Sequence, residues 1–186
     1  MRYINYKELR LHHPNCVSII DCFEINCKLH SNMIYKSSSY SQYKSYHTAK
    51  YLISMAPQGS INFASEGFGG RSTDVEINRS SHYIEHIGQG DEVMGDRGFL
   101  IKDAIEDRGA TLVIPAFKGK RSQIISNERI HIERGINNLR KKFTVLRGPI
   151  KVKDMSSGSS NLTFADKIVV VCCCLINAMP SIVPPW

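Results

Sequence analysis

The spacing of apolar positions along the chain divides it into short strands and amphipathic helices. CVSIID (residues 16–21) is β-branched and apolar on both faces, as a central strand is, and the pattern predicts that it ends on Asp21. A Ser/Tyr-rich polar stretch, SSSYSQYKSY, follows. Then come HTAKYLISM, the turn signal APQG and SINFASEGF, which predict two strands joined as an antiparallel hairpin. FGGRSTDVEINRSSHYIEHI opens on a glycine break and offers Ser72 or Thr73 as a helix cap, with Glu76 completing a capping box if Thr73 is that cap. GDEVMGDRGF predicts a short strand stopped at Arg97-Gly98, which delivers Asp96 to its carboxyl end. LIKDAIEDRG is helical in pattern and closes with Gly109, and TLVIPAF is a further buried strand.

In RIHIERGINNLRKKF (129–143), Ile132, Ile136, Leu139 and Phe143 fall at i, i+4, i+7 and i+11, one apolar stripe of a docked helix. MSSGSSN (155–161) predicts a surface loop, and FADKIVVVCCCLINAM the last helix. Its run IVVVCCCLINAM (168–179) is shorter than the roughly 20 residues that cross a bilayer. Asn177 also interrupts it, so a buried core helix and no membrane partner are expected. The order of elements is that of a mixed α/β fold, one sheet with helices packed on it.

Composition narrows the partners. At 186 residues one domain is expected. Twenty-four Lys and Arg against seventeen Asp and Glu give a net charge of +7, which favours a polyanion, nucleic acid first. The amino terminus, MRYINYKELRLHH, lacks the apolar run of a signal peptide, so an intracellular protein without disulfides is expected. Cys172, Cys173 and Cys174 lie in an aliphatic run and read as small buried hydrophobes. Cys16, Cys22, Cys27 and His30 lack the paired C-x-x-C spacing of a zinc site.

Three acids carry the candidate chemistry. Glu133 belongs to a polar stripe, Arg129, Glu133, Asn137 and Arg140, at the edge of the apolar one. It can project into a cleft while the arginines reach a phosphate backbone, or pair with Arg129 across one turn for about 0.3–0.5 kcal/mol. Asp21 and Asp96 each follow an apolar strand segment, and strand carboxyl ends are where open α/β sheets bind ligands. Such residues also serve as turn formers or caps, and spacing alone does not bring the three together. If they meet, three carboxylates repel unless divalent cations neutralise them. Hard oxygen donors select Mg²⁺ or Mn²⁺, and a pair of such ions supports in-line displacement at a phosphodiester.

The blocks IIDCFEI, YKSYHTAKYLI, EGFGGRSTDVEI, GDEVMGDRGFLI, GATLVIPAF, RIHIERGINNLR and IVVVCCCLINAMP, in that order, resemble the DDE superfamily endonuclease domain of Harbinger-like and THAP-associated transposases. The resemblance covers roughly residues 15–182, leaving 1–14 as an amino-terminal extension and 183–186 as a tail. It implies an RNase H-like fold and a nuclear, metal-dependent nuclease that cuts and joins DNA. Asp21, Asp96 and Glu133 would be its catalytic metal ligands, with Arg97, Arg129, Arg134, Arg140 and Lys141 near the DNA. Asp74 matches a recurrent acid near the site. Transposases usually act as paired subunits, so a homodimer is implied, and recognition of transposon ends calls for a separate DNA-recognition protein or domain. Phe23 stands where relatives carry a small polar residue, and the segment between VIPAFKGK and RIHIER is shorter than in most of them. These departures open a second reading, a transposase-derived protein that binds DNA or a protein partner without catalysis.

Overall fold

One long strand organises the sheet. In the computed structural model, which describes residues 6–28, 33–96, 99, 101–114, 132–155 and 162–180, β1 (Cys16–Asn26) lies between β3 (Tyr46–Met55) and β6 (Glu92–Met94). The β1–β3 pairing is antiparallel, from Ile19↔Met55 to Asn26↔Thr48, whereas β1–β6 is parallel and short, from Cys16↔Glu92 to Ile19↔Met94. β7 (Thr111–Val113) extends the parallel side beyond β6. β2 (Tyr40–Ser41), β4 (Ile61–Ala64) and β5 (Phe68–Gly69) all pair antiparallel with β3. Antiparallel partners need only turns between them, and at the β3–β4 turn Gly59 takes φ 95°, which an L side chain resists.

Alternation along β1 gives the sheet two cores. On one face Ile19, Phe23 and Ile25 pack with Ile132, Ile136 and Leu139 of α5 (residues 132–142) and with Val169 and Cys172 of α6 (Phe164–Asn177). On the other, Ile20, Leu52 and Val93 pack with Ile77 of α3 (Asp74–Ser80) and Ile105 of α4 (Lys102–Glu106). Each such buried side chain is worth about 1.5–3 kcal/mol, so these apolar stripes, rather than surface ion pairs of about 0–1 kcal/mol, fix where the helices sit. A curled mixed sheet, antiparallel on one side of β1, parallel on the other and flanked by helices, is consistent with an RNase H-like fold.

Polar groups lock the helices in register. Thr73 caps α3 and closes a capping box with Glu76. Thr163 and Asp166 do the same for α6, and the buried Asp166 carboxylate also accepts the Tyr51 hydroxyl (3.2 Å) and the Gly67 N–H (3.0 Å). A Cβ on residue 67 would sit 2.9 Å from that carboxylate, which is why glycine stands there. At the far end of α6 the Asn177 amide exchanges two hydrogen bonds with the backbone of Ile61, at 2.8 and 2.7 Å. Arg147 donates to the carbonyls of Arg140 and Lys141, the last turn of α5, where a cation is favoured.

Several sequence expectations change here. β1 does not end at Asp21; it runs on to Asn26 because β3 pairs with it as far as Thr48. α6 is not buried all round. Ala165, Asp166, Val169, Cys172 and Cys173 face inward, while Phe164, Val170, Val171, Cys174 and Leu175 are exposed, since a helix laid on a sheet covers only one stripe. Cys174 is therefore no core residue; all six cysteines are free thiols. The polar stretch before β3 contains α2 (Met33–Ser39) and β2, and α1 (Tyr6–His12) precedes β1. The helix that Thr73 caps stops at Ser80, before the end of the patterned stretch. His82 adopts φ 58° and restarts the chain as a 3₁₀ turn, Tyr83–His86.

Replacing Asp166 by Ala removes a cap and leaves the buried Tyr51 hydroxyl without its acceptor. Urea titration of Asp166→Ala is expected to read a loss of about 2–3 kcal/mol relative to wild type.

Candidate active site

Asp21 lies between Ile19 and Phe23 on β1, so alternation points it to the face covered by α5. Its Oδ1 accepts the N–H of Cys22 at 2.8 Å. Met94 of β6 enters the same core as Ile19, its partner across the parallel ladder. Asp96 stands two residues past the end of β6, as Asp21 stands two residues past Ile19 on β1. Gly95 lies close to β1, since a Cβ there would lie 3.3 Å from Ile20 Cγ1, and its N–H still donates to Val113 on β7. Asp96 then leaves the ladder, and its carbonyl accepts the N–H of Phe99.

Glu133 follows Ile132 on α5, exposed at the edge of the stripe formed by Ile132, Ile136 and Leu139. It lines one cleft of about 220 Å³ together with Asp21, Phe23, Ile136, Arg140 and the Tyr43-Lys44 turn. The Arg140 guanidinium donates to the Glu24 carbonyl at 2.5 Å and lies 5.6 Å over the Phe23 ring, so it braces the cleft wall. Phe23, the departure from the family pattern, is buried and stacks on Tyr51 with centroids 5.6 Å apart. Lys141 is exposed and Arg134 half-buried on the same helix, whereas Arg97, Arg129 and the shortened segment before Glu133 lie outside the described residues.

The fold thus brings Asp21 and Glu133 to one cleft, whose lining does not include Asp96. Among the described residues, no group of three His, Cys, Asp or Glu is gathered tightly enough to hold a metal ion. The donors suit a hard divalent cation, because Asp21 and Glu133 offer carboxylate oxygens to one cleft. Cys16 and Cys27 bond to nearby carbonyls, and His30 lies outside the described residues.

Residues 20–177 match the family described as DDE superfamily endonuclease. The chain belongs to that family. No curated protein and no solved structure matches it.

In this DDE endonuclease domain the opposite face of β1 carries a second charged group that the sequence did not announce. Lys50 on β3 pairs with Asp74 at 2.6 Å and donates to the Ser72 carbonyl at 3.3 Å. Asp74 is thus held by a lysine behind the sheet; the cap of α3 is Thr73. Beside it, Thr48 donates to Glu24 at 2.6 Å. Burial and then the charge of Asp74 push the Cys22 thiol far above its usual value, so it stays protonated. The only sequence signal for this group is the even spacing of Cys22 and Glu24, and of Thr48 and Lys50, on paired strands. The Tyr43-Lys44 turn was also passed over, inside a stretch read as merely polar.

Burial opposes the Lys50 charge, but the bond to Asp74 and the fields of Asp74 and Glu24 outweigh it and hold its pKa above the ordinary lysine value. A raised lysine stabilises the fold fully below its unfolded pKa, and that contribution is lost as pH rises through the folded value. Lys50→Met, which strands Asp74, is expected to cost about 1–2 kcal/mol in chemical denaturation at neutral pH. The deficit should shrink in strongly alkaline buffer.

Proposed function

We propose that this domain is a metal-dependent nuclease of the Harbinger-like, THAP-associated kind, which cleaves and transfers DNA phosphodiesters. What carries the reading is the meeting of Asp21, from a strand, and Glu133, from a helix, on one cleft, while Asp96 follows β6, the strand paired with β1. Asp21, Asp96 and Glu133 would hold Mg²⁺ or Mn²⁺. Bound there, the metal supplies Lewis-acid polarisation of the phosphodiester and activation of water, or of a 3′-hydroxyl for strand transfer.

The remaining roles fall to the chain itself. Phe23 and Ile136 give the carboxylates an apolar wall that limits competing water, and Arg140 keeps that wall in position. Lys44 and Lys141, exposed, add positive charge for the phosphate backbone, as do Arg97, Arg129 and Arg134 in this reading. DNA as substrate makes the nucleus the place of action. Paired subunits would hold two ends, and sequence recognition would come from another protein or domain.

A second reading is favoured by one observation, the lack of a closed three-residue metal group among the described residues. It is a domain that keeps the fold and basic surface and binds DNA without cutting it.

Purified chain with Mn²⁺ is expected to nick supercoiled plasmid. Loss of a ligand that supplies several kcal/mol of charge stabilisation should slow Asp96→Asn about a hundredfold or more. Nicking that survives chelation, or equal rates for the two proteins, would reject the site. If wild type shifts DNA in a gel with steep salt dependence yet never cleaves, the binding reading holds.

A further inference from the structure

A second cleft adjoins the one that holds Asp21 and Glu133. It is lined by Ser41, Gln42, Lys50, Gly70 and Arg71, and it shares Glu24 and Tyr43 with the first. Tyr43 is therefore the ridge between two openings that together form one groove. Its ring is 85% exposed. Single exposed aromatics are ordinary on protein surfaces, so exposure alone carries nothing. What distinguishes Tyr43 is a fixed support, flanking cations and its place beside the carboxylates.

The support is built into the turn. Ser41 is buried and paired with Tyr46 across β2–β3. Its carbonyl accepts the N–H of Ser45 at 2.9 Å and its hydroxyl that of Lys44 at 3.3 Å, while Ser45 takes φ 61° to complete the reversal. The tip is thus held by hydrogen bonds from an anchored residue. Lys44 places its ammonium 4.7 Å from the centre of the Tyr43 ring, and exposed Arg71 stands in the adjoining cleft. Lys50, in contrast, is taken up by Asp74.

An aromatic ridge with a cation on either side suits a nucleic-acid strand whose bases are free to stack, because each base offers a π-face and the cations track the backbone. A base inside a duplex cannot reach such a ring without leaving its stack. We propose that Tyr43 and Lys44 form a stacking platform for an unpaired nucleotide flanking the scissile phosphate, with the strand continuing past Arg71. This inference rests on the nuclease reading for what lies in the first cleft. It adds a substrate preference, DNA that is single-stranded or opened next to the cut.

Binding and cleavage are measured separately. Fluorescence anisotropy of the full chain with a labelled oligothymidine, and with a duplex of equal length, is read in EDTA so that no cutting occurs. Tyr43→Ala is expected to weaken single-strand binding about tenfold, while Tyr43→Trp retains it and duplex affinity changes little. Lys44→Ala should lower the slope of log affinity against log salt by about 0.7, the single-strand value for one phosphate contact. Circular dichroism melts of the Tyr43 variants should match wild type, since the ring is exposed. No single-strand binding, single-strand affinity unchanged in Tyr43→Ala, or equal losses on single strand and duplex would each overturn the platform. Plasmid nicking with Mn²⁺ decides the nuclease reading on its own, so a chain that nicks while Tyr43→Ala binds normally loses the platform alone.

Discussion

The parallel ladder between β1 and β6 is the constraint on which the cleft depends. β6 is short, and its pairing with β1 stops at Ile19↔Met94. Asp96 lies two residues past that stop. A slip of one residue would turn Met94 to the opposite face, among the side chains around Ile77 and Ile105. Two features hold the register. Met94 and Val93 are wholly buried in different cores, so a slip would misplace both, and Gly95 lies close against Ile20, where a Cβ would come within 3.3 Å of Cγ1.

β1 also separates two kinds of charge. On the α5 side, Asp21 and Glu133 face a cleft whose nearest wall is apolar and whose Arg140 is spent on a backbone carbonyl and an aromatic ring. Behind the sheet, Asp74 is matched by Lys50, and Glu24 accepts from Thr48. One strand thus presents carboxylates with contrasting surroundings to its two sides. The matched set tethers β3 to the start of α3, and the cleft set faces solvent. The same alternation explains why Cys22 is no rival ligand, since its thiol lies on the side of Asp74 and stays protonated.

Much of the fold was legible because local chemistry and burial agree. The APQG turn, the Thr73-Glu76 box, the Gly109 stop and the Ile132-Ile136-Leu139 stripe each follow from residues close in sequence. Asp21 and Glu133 stood out as lone acids beside apolar patterns, but the cleft they share depends on α5 packing against β1. What escaped depends on distant pairing. β1 extends past Asp21 because of β3, and Lys50 meets Asp74 only after the sheet has formed. Tyr43 looked like one polar residue among many until Ser41 was buried beneath it. The outward face of α6 was misread since an aliphatic run carries no mark of which side a sheet will leave open.

Asn177 first drew notice as a polar break in the apolar run of α6. Its amide offers Ile61 one acceptor and one donor, the same pair that a neighbouring strand would present. Among the described residues β4 pairs with β3 alone, so its other margin is the kind of place where stray chains zip on. A single side chain there mimics one rung of a missing strand, and the helix that carries it doubles as a guard against unwanted self-templating.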